Sequence, residues 1–135
     1  MVCILCGSKT QVINSRPQKR LNQVWRRRQC LSCQTVFTSE ESVNYGASWV
    51  IKVKNSGLQP FSRDKLFLSL YNSCRHRPTA LSDASALTDT VVKRLLDVVD
   101  QNGGLEDSAI ARTVQVALNR FDKAASSHYA AYHKS

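Results

Sequence analysis

The chain has 135 residues, 42% hydrophobic and 21% charged, which suits a folded globular protein and excludes a disordered or collagenous one. Nineteen Lys and Arg against ten Asp and Glu leave a net charge of +9, an excess that points to a polyanionic partner, most often nucleic acid. No apolar run approaches the roughly 20 residues that span a bilayer, and no secretory core follows Cys3, so a cytosolic protein is expected.

Two C-x-x-C pairs, Cys3/Cys6 and Cys30/Cys33, stand 23 residues apart near the start of the chain. In a reducing compartment this doubled spacing reads as a metal tetrahedron of thiolates, and Zn²⁺ prefers that closed geometry in structural sites. With four protein ligands no position is left for a catalytic water, so the ion holds the fold. The alternatives are a redox dithiol or two disulfides, but a redox C-x-x-C needs only one pair and opens a helix in a larger domain. Cys74 falls within a helical apolar pattern and reads as a core residue.

Some 45 residues are too few to bury a self-sufficient core, so metal binding is expected to supply much of the folding energy. Residues 11–15 and 24–29 pattern as a hairpin, with a third strand at 36–37, which makes a zinc ribbon. All seven basic residues of the first 49 lie between Lys9 and Arg28, and that stretch contains no acid. On the second strand Arg26 and Arg28 should share one face and Arg27 the other. Three adjacent guanidiniums repel one another unless anions neutralise them, and each matches phosphate or a guanine edge. With Arg16, Lys19 and Arg20 they form a cationic finger for DNA; an RNA-binding ribbon or a merely solvated charge run are the other readings.

A polar linker is expected at 42–48, then a strand from Trp49 to Lys54, a turn at Asn55-Ser56-Gly57 and a brief return strand from Leu58 to Phe61. Ser62 is placed to cap a helix over about 63–76, with Leu66, Leu70 and Cys74 on its buried stripe. Ser82 or Asp83 should cap a second helix whose stripe is Leu87, Val91, Leu95 and Val98, and Gly103-Gly104 should stop it. A third helix begins near Glu106-Asp107 and buries Ile110, Val114, Ala117 or Leu118, and Phe121; a last one covers about 124–132. The expected class is therefore α+β: a small β zinc ribbon over 1–45, then a mostly helical domain with an N-terminal β-hairpin over 46–135.

Neither phosphate-loop pattern occurs, and no Ser/His/Asp or Cys/His constellation stands out, so a non-enzymatic protein is expected. His76, His128 and His133 are scattered along the sequence and read as surface residues.

Several strings together resemble the bacterial ribonucleotide-reductase transcriptional repressor family, NrdR. They are Cys3-x-x-Cys6, Val12-Ile13-Asn14-Ser15-Arg16, Val24-Trp25-Arg26-Arg27-Arg28-Gln29-Cys30, Cys33 and Phe37-Thr38, then Val50-Ile51-Lys52, Pro60-Phe61 and Asp64-Lys65-Leu66. The resemblance implies a zinc ribbon joined to an ATP-cone domain. It implies Zn²⁺ on Cys3, Cys6, Cys30 and Cys33, DNA contacts from Arg16, Arg26, Arg27 and Arg28, and ATP or dATP phosphates near Lys52, Lys54 and Lys65. Nucleotide identity would set the homo-oligomeric state, and paired ribbons would bind operator repeats upstream of ribonucleotide reductase genes. Asn14 stands where that family has an acid, and Val53 where it has a lysine. The alternative reading is an RNA- or ribosome-associated zinc-ribbon protein whose cone no longer senses nucleotide.

Overall fold

The computed structural model describes residues 1–133, and the chain divides into two compact units, Met1–Val43 and Asn44–Ser135. In the first unit the expected strands are present and longer than the periodicity indicated. β1 (Thr10–Gln18), β2 (Gln23–Cys30) and β3 (Val36–Ser42) form an antiparallel sheet in the order β1-β2-β3. The register pairs Val12 with Arg28 but Asn14 with Arg27, so Ile13 is the extra residue of a bulge. Backbone pairing extends the strands over the polar ends, where alternation gives no signal. Cys3 and Cys30 are the only buried apolar residues of this unit among the described residues, so the ribbon has no hydrophobic core of its own.

The second unit begins with α1 (Tyr45–Ser48), a single turn capped by Asn44, where the sequence reading placed a linker. It carries Tyr45 against Trp49, and Trp49 meets Phe61 edge-on at 5.2 Å between centroids. β4 (Val50–Val53) and β5 (Gly57–Pro60) make the expected hairpin. The helices are α2 (Arg63–Ser73), α3 (Ala80–Leu95), α4 (Asp107–Phe121) and α5 (Lys123–Tyr132), and α2 packs on α3, α3 on α4, α4 on α5 and α5 back on α2. Leu70, Cys74, Val91, Leu95, Val114 and Leu118 fill the space between them and are wholly buried. Cys74 is thus the core residue that its helical spacing indicated.

Several boundaries differ from the sequence reading. α2 stops at Ser73, three residues early, because Cys74 leaves the helical conformation at its C-cap. α3 starts at Ala80 behind Thr79, ahead of Ser82 and Asp83; Asp83 lies inside the first turn, where its carboxylate accepts from Thr79 and Arg77. Val98 lies beyond the last turn of α3 and is half exposed. Phe121 is also partly exposed, with the Arg77 guanidinium 4.6 Å above its ring.

β6 (Gly104–Glu106) had no counterpart in the sequence reading; it runs parallel to β4 and gives the sheet order β5-β4-β6. Gly103-Gly104 does more than stop a helix. Gly103 takes φ +80° and packs its backbone on Ser48, where a Cβ would overlap the Ser48 carbonyl oxygen, and its own carbonyl accepts from Val50 N–H at 2.9 Å. Among the described residues no helix is long and apolar enough to cross a membrane.

Candidate metal centre and nucleic-acid interface

The two C-x-x-C segments fold into loops of the same construction. Cys3 N–H donates to Ser8 C=O at 2.8 Å, and Cys30 N–H donates to Thr35 C=O at 2.9 Å. Each loop turns through a left-handed residue directly after its second cysteine, Gly7 at φ +74° and Gln34 at φ +66°. Backbone N–H groups of Leu5, Ser32 and Cys33 point at the Cys3 and Cys30 sulfurs at 3.3–3.4 Å. The Cys33 and Ser32 donors favour the Cys30 thiolate, the form that binds metal, but burial and the neighbouring Cys6 and Cys33 thiols outweigh them and leave Cys30 raised. Hydrogen bonds from Ser8, side chain first and then backbone, lower the Cys6 thiol to about 6, and Thr35 lowers Cys33 in the same way.

The four Sγ atoms lie within 4.8 Å of one another, with Cys3–Cys33 at 3.6 Å and Cys6–Cys30 at 3.4 Å. A tetrahedron with Zn–S of about 2.3 Å sets its sulfurs about 3.8 Å apart, so the cluster fits one zinc ion and all five cysteines are free thiols. A unit without an apolar core, closed at one end by four converging thiols, needs such an ion to join β1, β2 and the loops. Cys3, Cys6, Cys30 and Cys33 would hold it, and the ion would act as a cross-link.

The arginines alternate across β2 as the period of two requires. Arg26 pairs with Ser15 and Ser39, and Arg28 with Val12 and Phe37, whereas Arg27 pairs with Asn14 and Thr38. Arg26 Nη1 donates to Ser15 Oγ and Arg28 Nε to Ser39 Oγ, both at 3.0 Å. Arg16 lies across from Trp25 and shares the Arg27 face. The four arginines named in the sequence thus divide two and two. Trp25, Asn14 and Thr38, given no DNA-contact role from the sequence, border an open depression of about 290 Å³ with Arg16 and Arg27. The available signal was the position of Trp25, two residues before Arg27 on an alternating strand.

In the second unit Lys52, Lys54 and Lys65 all line one cavity of about 940 Å³, between the β4–β5 hairpin, the start of α2, the start of α4 and the end of α5. Ser62 accepts from Lys65 N–H at 3.2 Å, so this lysine occupies the first turn of α2 as expected. Lys52 is engaged with Asp100 at 3.1 Å. The wall also includes Arg112, Ser69 and Tyr129. Burial, with a smaller push from Asp107, raises the Tyr129 hydroxyl to about 12, which keeps it neutral and a donor.

The histidines are less scattered in space than in sequence. His76 Nε2 stands 3.2 Å from Asp122 Oδ2 and its ring meets His128 edge-on at 5.1 Å, while His133 stacks on Tyr129. The two His76 contacts join α5 and its cap to the segment after α2.

Fold and sites together define a zinc-ribbon protein with an appended α/β unit. The first 41 residues match the family model described as "Transcriptional repressor NrdR-like, N-terminal domain". The transcriptional repressor NrdR of Symbiobacterium thermophilum is 31% identical over 134 residues, spanning 99% of this chain and 87% of that protein. That of Afipia carboxidovorans is 36% identical over 138 residues, spanning 100% and 84%. The chain belongs to the NrdR transcriptional repressor family. Its relatives are named as repressors, which are regulators and not enzymes, as the missing catalytic constellation indicated.

Proposed function

We propose that this chain is a zinc-dependent, DNA-binding repressor of ribonucleotide reductase genes that acts in the cytoplasm as a homo-oligomer. Zinc on Cys3, Cys6, Cys30 and Cys33 stiffens the ribbon, and arginines of β1 and β2 contact operator DNA. ATP or dATP in the lysine-lined cavity selects the oligomer and so sets the spacing between ribbons. One ribbon offers few contacts, so specific binding calls for two or more placed whole helical turns apart. A nucleotide shifts that assembly only through its differential affinity for the two states.

The observation that supports this reading most strongly is the pairing of a four-thiol cluster with an arginine strand in a unit lacking any apolar core. The convergence of Lys52, Lys54 and Lys65 on one cavity supports the nucleotide part.

The test is electrophoretic. Duplex fragments from upstream of the host's ribonucleotide reductase genes should be retarded, dATP or ATP should alter retardation and particle size together, and the affinity should fall steeply with salt. Equal retardation of RNA and duplex DNA, or no effect of either nucleotide on size or binding, would contradict the corresponding part.

A further inference from the structure

We propose that the ribbon reads duplex DNA through one face only, the face of Asn14, Arg16, Trp25 and Arg27, with Trp25 as a base-contacting residue. This rests on the proposed DNA-binding function and assigns its surface. Arg26 and Arg28, on the opposite face, hold the sheet together.

The two faces differ in how their guanidiniums are employed. Arg26 is bonded to Ser15 Oγ and lies 3.9 Å from Glu41, and Arg28 is bonded to Ser39 Oγ. Both are half-buried, and meeting a phosphate would require breaking bonds that tie β2 to its neighbours. Arg16 and Arg27 are exposed and, among the described residues, have no side-chain partner. Their forks are therefore available for phosphate or a guanine edge at no cost to the sheet.

Between them stands Trp25, 38% exposed, with its Nε1–H already donated to Gln23 Oε1 at 3.1 Å. What the indole presents outward is apolar ring, which gains by leaving water for sugar, base or thymine methyl. Asn14, cross-strand from Arg27, already accepts the Ser15 N–H at its Oδ1 at 2.9 Å, which leaves its amide NH2 to donate toward a base edge or phosphate. Glu40 pairs with Trp25 from β3 and places a carboxylate at that edge, which directs the phosphates toward the β1–β2 side.

The test uses the full chain and a duplex enriched by it from a randomised pool. Arg16→Ala and Arg27→Ala should each weaken binding about tenfold and reduce the salt slope by about 1. Arg26→Gln and Arg28→Gln keep a donor for the serine hydroxyls while removing charge, and should each weaken binding and lower the slope clearly less than Arg27→Ala does, through long-range charge alone. Trp49 is only 6% exposed, so acrylamide quenching of tryptophan fluorescence reports on Trp25. Adding the duplex should suppress that quenching, and Trp25→Ala should weaken binding about tenfold with zinc content unchanged. A larger loss from Arg26→Gln or Arg28→Gln than from Arg27→Ala, or a Trp25 still quenched in the complex, would overturn the assignment of the face. Failure of the pool to yield any enriched duplex would instead overturn the DNA-binding reading beneath it.

Discussion

Asp100 Oδ2 accepts a hydrogen bond from Lys52 Nζ at 3.1 Å, while Oδ1 of the same carboxylate takes the backbone N–H groups of Asn102 and Gly104 at 2.8 Å each. One side chain thus shapes the turn before β6 and restrains a cavity lysine. Asp100→Asn keeps an oxygen for the two backbone donors and turns an amide toward Lys52. The turn should survive, the lysine should be released, and adenine-nucleotide affinity should rise several-fold. Lys65→Ala, in the first turn of α2, should lower it about tenfold, as loss of a charge-assisted contact does. Calorimetric titration of each variant with ATP and dATP measures both effects.

Acid should loosen the helical unit at its α4–α5 junction. Asp122 accepts from Ala125 N–H as the cap of α5, and from Arg77 and His76 through its other oxygen. These bonds, Ala125 foremost, hold its pKa far below the ordinary 3.8, and Asp83 is lowered by Thr79 and Arg77. A depressed carboxylate contributes stability that is present above its unfolded pKa and lost as pH falls through the folded value. The urea midpoint should therefore be flat above about pH 5 and decline below about pH 4. Asp122→Ala should lower the midpoint at neutral pH and flatten the acid decline.

The core should respond as a single packed layer. Leu118 is wholly buried on α4, within the cluster that also includes Leu70, Val91 and Leu95. Leu118→Ala should cost about 2–5 kcal/mol, the transfer of its side chain plus the cavity left behind. Val98→Ala, half exposed beyond α3, should change stability by less than about 0.5 kcal/mol. Chemical denaturation of the two variants checks the contrast.

Gly103 should tolerate no side chain. Gly103→Ala forces an unfavourable φ and a clash with the Ser48 carbonyl, so it should break the β4–β6 pairing and lower thermal stability by several degrees. Amide exchange at Val50, whose N–H donates to Gly103 C=O, should speed up with it.

What could be read from the sequence depended on signals with a short period. C-x-x-C indicated which four thiols would converge, because two residues between cysteines already determine a chelating loop. The division of Arg26 and Arg28 from Arg27 followed from strand alternation alone. β6 was not legible because three residues carry no periodicity, and its parallel partner β4 lies some fifty residues earlier. The start of α3 was misplaced because Asp83, a good capping residue by type, is spent on Arg77 and Thr79, a contact only the folded chain creates. The same holds for His76 and His128, which meet through the packing of α5. Arg16 joined Trp25 and Arg27 through the pairing register, which is not encoded in any one segment.

Metal analysis combined with chelation of the 135-residue chain bears most directly on the thiolate cluster and what depends on it. One zinc per chain is expected, and a strong chelator should abolish duplex binding and the ribbon's β-structure while the helical ellipticity of the second unit persists. Metal-replete protein without zinc, or duplex binding that survives complete chelation, would contradict it.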